Sequence, residues 1–201
     1  MGVALLTLVT TVAPTILLGV WQSSDAVGVY ASATRAAGVA SFLLLAVNAI
    51  AAPLMATAHR QGERADLERI ARLSALMATL SSTPLIAIML LFPAQLMSLF
   101  GPDFRIGASA LIILSLGHGA KALVGSATVL LMMSGREGSL LRVSAWSVAA
   151  NLLLCVVLIP LFGVNGAALA WTLSIVSESV LALDCVRREL RISCLPGVTR
   201  A

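Results

Sequence analysis

The chain has 201 residues, of which 59% are hydrophobic and only 11% are charged, and its mean hydropathy is +1.01. Soluble domains carry about 45–50% apolar and about 25% charged residues, so this composition excludes a soluble globular domain. The net charge of +4 does not indicate nucleic-acid binding. The basic residues cluster beside hydrophobic runs, and no aromatic side chains are interleaved with them.

Long stretches of the chain lack any Asp, Glu, Lys, Arg or His. They precede Asp25 and lie between residues 35 and 59, 72 and 103, and 142 and 178. Each is long enough for a helix across ~30 Å of hydrocarbon, which takes about 20 residues, and the last is long enough for two. Backbone groups in lipid must bond internally, and no ten-residue strands of alternating polarity are visible. We therefore predict an all-α polytopic membrane protein, a bundle of about six transmembrane helices.

In chain order, the predicted helices cover residues 2–20, 26–58, 76–99, 106–134, 140–161 and 164–183, and together they form a single transmembrane lobe spanning 1–201. Turn residues separate them, among them Gly101-Pro102-Asp103 and Gly163. Residues 59–75 carry both signs of charge around an apolar face, which predicts an amphipathic linker at the membrane surface. Residues 184–201 form a basic tail.

The basic residues alternate between connections. Arg60, Arg64, Arg69 and Arg72 lie in the second connection, Arg136 and Arg142 flank the fourth, and the tail contains Arg187, Arg188, Arg191 and Arg200. The first, third and fifth connections together contain one basic residue, Arg105. Because basic loops stay on the cytoplasmic side, we predict a multi-pass protein of the cytoplasmic (inner) membrane with both termini in the cytoplasm.

Polar residues inside the apolar runs are candidates for substrate binding, because a charged group there costs about 2.5–3.5 kcal/mol even on the lenient insertion scale. The candidates are Arg35, Lys121, His118, Asn48 and Glu178.

Each candidate has an alternative structural role. Arg35 can extend to the outer headgroups or pair with Glu178, and His118 can form an interhelical hydrogen bond. Glu178 is either an ion-pair partner or a site for a proton or cation. Lys121 shares a face with Gly117 and Gly125, and such a face packs closely on another helix or lines a groove.

No motif for enzyme chemistry is visible. The chain has no His-Glu-x-x-His, nucleophile elbow, P-loop or Gly-x-Gly-x-x-Gly, so we predict neither catalysis nor a cofactor. Cys155, Cys185 and Cys194 lack metal-site spacing, and we expect reduced structural thiols.

Short motifs in a fixed order resemble a known family. They are VGVYASATR (27–35), APLM (52–55), LFGPDF (99–104), LMMSGR (131–136), and Asn151 followed by LIPLFGVNGAA (158–168). This order resembles the second, C-terminal lobe of polysaccharide and lipid-linked oligosaccharide flippases of the multidrug/oligosaccharidyl-lipid/polysaccharide exporter superfamily. Members have twelve to fourteen helices in two lobes, so the resemblance implies that this chain is a fragment of a larger transporter.

The resemblance implies translocation of a polyprenyl-pyrophosphate-linked oligosaccharide or polysaccharide precursor by alternating access, for cell-envelope or lipopolysaccharide synthesis. A cationic cavity suits a pyrophosphate that crosses a low-dielectric layer, which would make Arg35 and Lys121 its ligands. The expected partners are the lipid-linked oligosaccharide, membrane lipid, and either an N-terminal lobe or a second copy of the chain. The alternatives are a multidrug or cation antiporter of the same superfamily and a membrane interaction protein that transports nothing.

Overall fold

The computed structural model describes residues 2–189, and this part of the chain consists of helices joined by short turns. The helices are α1 (Gly2–Trp21), α2 (Ser24–Gln61), α3 (Arg64–Leu91), α4 (Pro93–Ser98), a 3₁₀ helix (Pro102–Gly107), α5 (Ala108–Met133) and α6 (Glu137–Glu189). Within 2–189, five helices are long and apolar enough to cross a membrane. The prediction of an all-α polytopic membrane protein is confirmed.

The longest helix, α6, contains two antiparallel arms. Gly163 has φ 54° and ψ −125°, which interrupts the helical backbone. Ser144, before this turn, donates a hydrogen bond of 3.2 Å to Glu178, after it, so residues that are 34 positions apart in the chain meet across the two arms. The arms, 137–162 and 164–189, correspond to the fifth and sixth hydrophobic runs. With the four other long helices they account for all six runs.

Two connections differ in detail from the predicted boundaries. Residues 59–75 divide between the end of α2 and the start of α3, with Gly62 at φ 74° capping α2 through its N–H. The predicted helix 76–99 is divided at Phe92, because Pro93 starts the separate short helix α4 and has no N–H to continue the α3 ladder. Of the basic tail, residues 190–201, with Arg191, Cys194 and Arg200, lie outside the described residues.

The buried side chains form two apolar clusters at different levels of the bundle. One includes Leu18, Tyr30 and Leu111, and the other includes Met55 and Leu130. Along α2 the first cluster ends at residue 37 and the second begins at 51, and along α5 the corresponding residues are 114 and 127. Asn48 of α2 and Lys121 of α5 lie in the band between the two clusters.

Small residues dominate the helix contacts, while many large apolar side chains face outward. Ala33, Ala37 and Ala167 are fully buried, whereas Leu5 and Ile16 of α1 are about 60% exposed, at 61% and 62%. Helices in lipid associate through close packing of small residues rather than by burying large apolar ones. The distribution is therefore that of a bundle whose outer surface contacts hydrocarbon.

Candidate functional site

A cavity of about 170 Å³ lies in the band between the two apolar clusters. Helices α1, α2, α5 and α6 all contribute to its wall. The residues lining it are Val3, Thr7, Thr10, Thr11, Leu44, Asn48, Lys121, Thr128, Val129, Trp171, Ile175, Glu178 and Ser179. We call this cavity the polar chamber. It brings together three of the five residues that the sequence identified, namely Asn48, Lys121 and Glu178.

Lys121 is held at the chamber wall by the close packing of α5 on α6. One turn earlier, a Cβ at Gly117 would come within 2.9 Å of both Thr172 and Trp171, so only glycine allows this separation of the two helices. Lys121 itself is half-buried, and it forms no ion pair with any residue that the structure describes. Its positive charge is therefore available to an anion in the chamber.

Glu178 is bound by hydroxyl groups rather than by a cation. Ser144 and Ser147, from the first arm of α6, each donate a hydrogen bond of 3.2 Å to one carboxylate oxygen, Ser144 to Oε1 and Ser147 to Oε2. Within residues 2–189, no ion pair joins Glu178 to Arg35 or to Lys121. The carboxylate thus lies in the same chamber as the ammonium, with its own hydrogen-bond donors.

Ser144 and Ser147, like the threonines of α1 that line the chamber, were not singled out in the sequence. Ser144, Ser147 and Asn151 are spaced i, i+3 and i+7, which places them on one face of a helix. Asn151 continues this polar face by donating a 2.9 Å hydrogen bond to Ser174 across the hairpin. This spacing indicates a polar helix face. It does not indicate a site by itself, because hydroxyl groups in apolar helices usually bond to their own backbone.

His118 connects three helices. Its Nδ1 lies 2.8 Å from the Ser41 hydroxyl of α2, and its ring lies 4.7 Å from the ring of Trp171 on α6, centroid to centroid, at a tilt of 43°. The interhelical hydrogen bond considered for this residue is therefore present. His118 does not line the polar chamber.

A second space adjoins the polar chamber and opens to the outside of the bundle. It has a volume of about 350 Å³ and is lined by Gly38, Ser41, Phe42, Leu44, Leu45, Asn48 and Lys121. We call it the lateral groove. The Oδ1 atom of Asn48 is buried and accepts no hydrogen bond within the described part of the chain, so a ligand hydroxyl could donate to it.

Arg35 lies apart from the chamber. It is exposed on α2, seven residues before Phe42 and on the same face of that helix. It has no ion-pair or hydrogen-bond partner among residues 2–189, so the alternative role in which it pairs with Glu178 is not seen in this part of the chain. The structure therefore places the two basic residues expected to bind pyrophosphate at different sites, Lys121 in the chamber and Arg35 on the surface.

Comparison with known proteins gives two relatives of stated function, both from Haloferax volcanii. The chain is 29% identical over 169 residues to "Probable low-salt glycan biosynthesis flippase Agl15", which covers 82% of this chain and 35% of that protein. It is 27% identical over 190 residues to "Probable flippase AglR", which covers 92% of this chain and 39% of that protein.

The chain thus spans between a third and two fifths of the length of these relatives. No protein-family profile matches it, and no solved structure is significantly similar. The resemblance that the motifs predicted is confirmed by the two relatives: this chain is a multi-pass membrane protein similar to flippases over most of its length.

Proposed function

We propose that the chain forms one lobe of a flippase that moves a polyprenyl-pyrophosphate-linked oligosaccharide or polysaccharide precursor from the cytoplasmic to the outer leaflet. The observation that carries the proposal is the position of Lys121, in a chain similar to two flippases. Its ammonium lines a polar chamber inside an apolar bundle and has no acidic partner among the described residues. A pyrophosphate supplies the negative charge that this position lacks.

The other residues of the chamber suit the remainder of such a substrate. Thr7, Thr10 and Thr11 carry hydroxyl groups at the wall, and Asn48 offers an acceptor. Glu178 repels phosphate oxygens and accepts from sugar hydroxyls, so it would orient the pyrophosphate toward Lys121 and the glycan away from it. These contacts replace hydration in a low-dielectric surrounding.

The proposal includes a second lobe, supplied by another segment or by a second copy of the chain. Arg35 is exposed and has no partner in the described residues, so it would complete the cationic site from the surface that faces this second lobe. Rocking of the two lobes would then open the site first to the cytoplasm and then to the outside. The protein would lie in the cytoplasmic (inner) membrane, with both of its termini in the cytoplasm.

Glu178 favours one alternative, a cation antiporter of the same superfamily. A carboxylate in a membrane chamber is a typical site for a proton or a cation. The two functions differ in which residue they require: binding of a pyrophosphate requires Lys121, whereas exchange of a cationic drug requires Glu178.

The test measures glycan export and protein level together, in flippase-deficient cells that express the chain with a second lobe. Lys121→Ala should abolish export at near-normal protein level, and Lys121→Arg should retain part of it because the charge persists with altered geometry. Arg105→Ala removes an exposed cation outside the chamber and is the matched control, with export unchanged. Normal export by Lys121→Ala would remove this residue from the site.

A further inference from the structure

We propose that a groove between the end of α2 and the start of α3 binds a phospholipid whose headgroup carries both a phosphate and a primary ammonium group. The groove has a volume of about 360 Å³, and we call it the interfacial groove. Arg69 would bind the phosphate, and Glu63 and Asp66 would bind the ammonium. None of the residues that line it lines the polar chamber, so this inference does not depend on the function proposed above.

The interfacial groove changes from charged to apolar along its length. Its α3 wall consists of Glu63, which directly precedes the helix, followed by Asp66, Ile70 and Leu73. These residues follow one another at intervals of three or four, so they lie on one face of the helix. Leu54 of α2 lines the apolar end from the opposite side. The charged end is therefore at the turn between the helices, and the apolar end lies deeper in the bundle.

This gradient matches the boundary between the headgroups and the hydrocarbon of a bilayer. From Glu63 to Leu73 the helix rises about 15 Å. The headgroup layer on one side of a bilayer is only about 5–8 Å thick. The apolar end, where Leu54 is 52% and Leu73 48% exposed, therefore reaches the hydrocarbon when the turn lies among the headgroups. A phospholipid can place its headgroup at one end of the groove and an acyl chain at the other.

The charged side chains at the turn have no partners within the described part of the chain. Glu63, Asp66 and Arg69 are exposed, and their side chains form no ion pair or hydrogen bond with any residue of 2–189. By contrast, Glu68 and Arg72 of the same helix form an ion pair of 2.7 Å. The two carboxylates and the guanidinium of the interfacial groove are therefore available to a ligand.

The balance of charges selects the class of phospholipid. Two carboxylates and one guanidinium leave one negative charge in excess at this end of the groove. A headgroup with a phosphate alone would be attracted by Arg69 but repelled by Glu63 and Asp66, whereas a headgroup that also carries a cation satisfies all three. A primary ammonium donates charge-assisted hydrogen bonds to carboxylates, and a guanidinium donates them to phosphate oxygens. A trimethylammonium group has no N–H to donate, so the groove should prefer the primary ammonium.

The experiment measures lipid binding to the full chain in detergent by native mass spectrometry. The probes are phosphatidylethanolamine, phosphatidylcholine and phosphatidylglycerol with identical acyl chains. Wild type should bind phosphatidylethanolamine about fivefold more tightly than the other two, the value of one exposed charge-assisted contact. Arg69→Gln should weaken phosphatidylethanolamine and phosphatidylcholine by the same factor, because both carry the phosphate. Glu63→Gln combined with Asp66→Asn should weaken phosphatidylethanolamine alone, to the level of phosphatidylcholine.

Two exposed residues outside the groove provide matched controls. Arg64→Gln removes a neighbouring guanidinium, and Glu137→Gln removes a carboxylate from the first turn of α6. Neither should change the order of the three affinities. All of the substituted side chains are exposed, so helical circular dichroism should match that of wild type in every variant.

Three results would overturn the inference. Equal affinity of wild type for phosphatidylethanolamine and phosphatidylcholine would exclude the contact between ammonium and carboxylates. Tightest binding of phosphatidylglycerol would show that the basic connection attracts anionic lipid and that the groove selects nothing. A loss in Arg69→Gln no larger than that in Arg64→Gln would exclude the phosphate ligand. None of these results bears on glycan export by Lys121→Ala, so the proposed function is tested separately.

Discussion

The hairpin turn of α6 leads to a quantitative prediction for Gly166→Ala. A methyl group at Gly166 would collide with the carbonyl oxygen of Leu158, and it would lie 2.5 Å from the carbonyl carbon of Leu158 and 3.0 Å from the Cα of Ile159. Carbon atoms pack best at about 3.5–4.0 Å. All three atoms belong to the backbone, so no rotamer change relieves the collision and the two arms must separate.

The magnitude follows from two opposing terms. Overpacking costs about 1–3 kcal/mol, and a collision with rigid backbone belongs at the upper end of that range. Alanine recovers up to about 1 kcal/mol through its higher helix propensity. We therefore expect Gly166→Ala to lower the free energy of unfolding by about 2 kcal/mol.

Gly138→Ala is the matched control for this substitution. A Cβ at Gly138, in the first turn of α6, would meet no atom within 4 Å. The same change should therefore stabilise the chain by about 0.5–1 kcal/mol, so the two variants differ in sign. The assay is reversible unfolding in mixed detergent micelles, followed by helical circular dichroism. Equal stability of the two variants would refute the close approach of Gly166 to Leu158.

Further predictions concern packing, orientation and autonomy. Asn151 is fully buried and donates to Ser174, so Asn151→Ala should cost about 1 kcal/mol of unfolding free energy in the same assay. A cysteine at Ser23 should react with an impermeant thiol reagent in intact cells, and one at Arg64 only after permeabilisation; labelling of Arg64→Cys in intact cells would contradict the topology. The chain alone should not restore glycan export in a flippase-deficient cell, because Arg35 lies outside the chamber. Restored export in such a cell with no second lobe supplied would contradict this prediction, and crosslinking would then show whether the chain forms a homodimer.

The positions of the charges were sufficient to predict the fold class. The uncharged run between Arg72 and Asp103 spans 30 residues, and lipid leaves such a segment no stable structure but a helix or a closed barrel. A charged side chain inside an apolar run has a high free-energy cost unless it has a partner or a cavity. This cost identified Lys121 and Glu178 as candidates. Both residues do line one chamber.

The tertiary structure alone decided which of the candidates meet. Helical periodicity places Arg35 and Lys121 on a face of their own helices, but it does not state which face turns toward the interior. That rotation depends on close contacts between helices, such as Gly117 against Trp171, which come from residues far apart in the chain. For this reason Lys121 could be placed at the chamber, Arg35 on the surface, and Ser144 beside Glu178 only from the packed bundle.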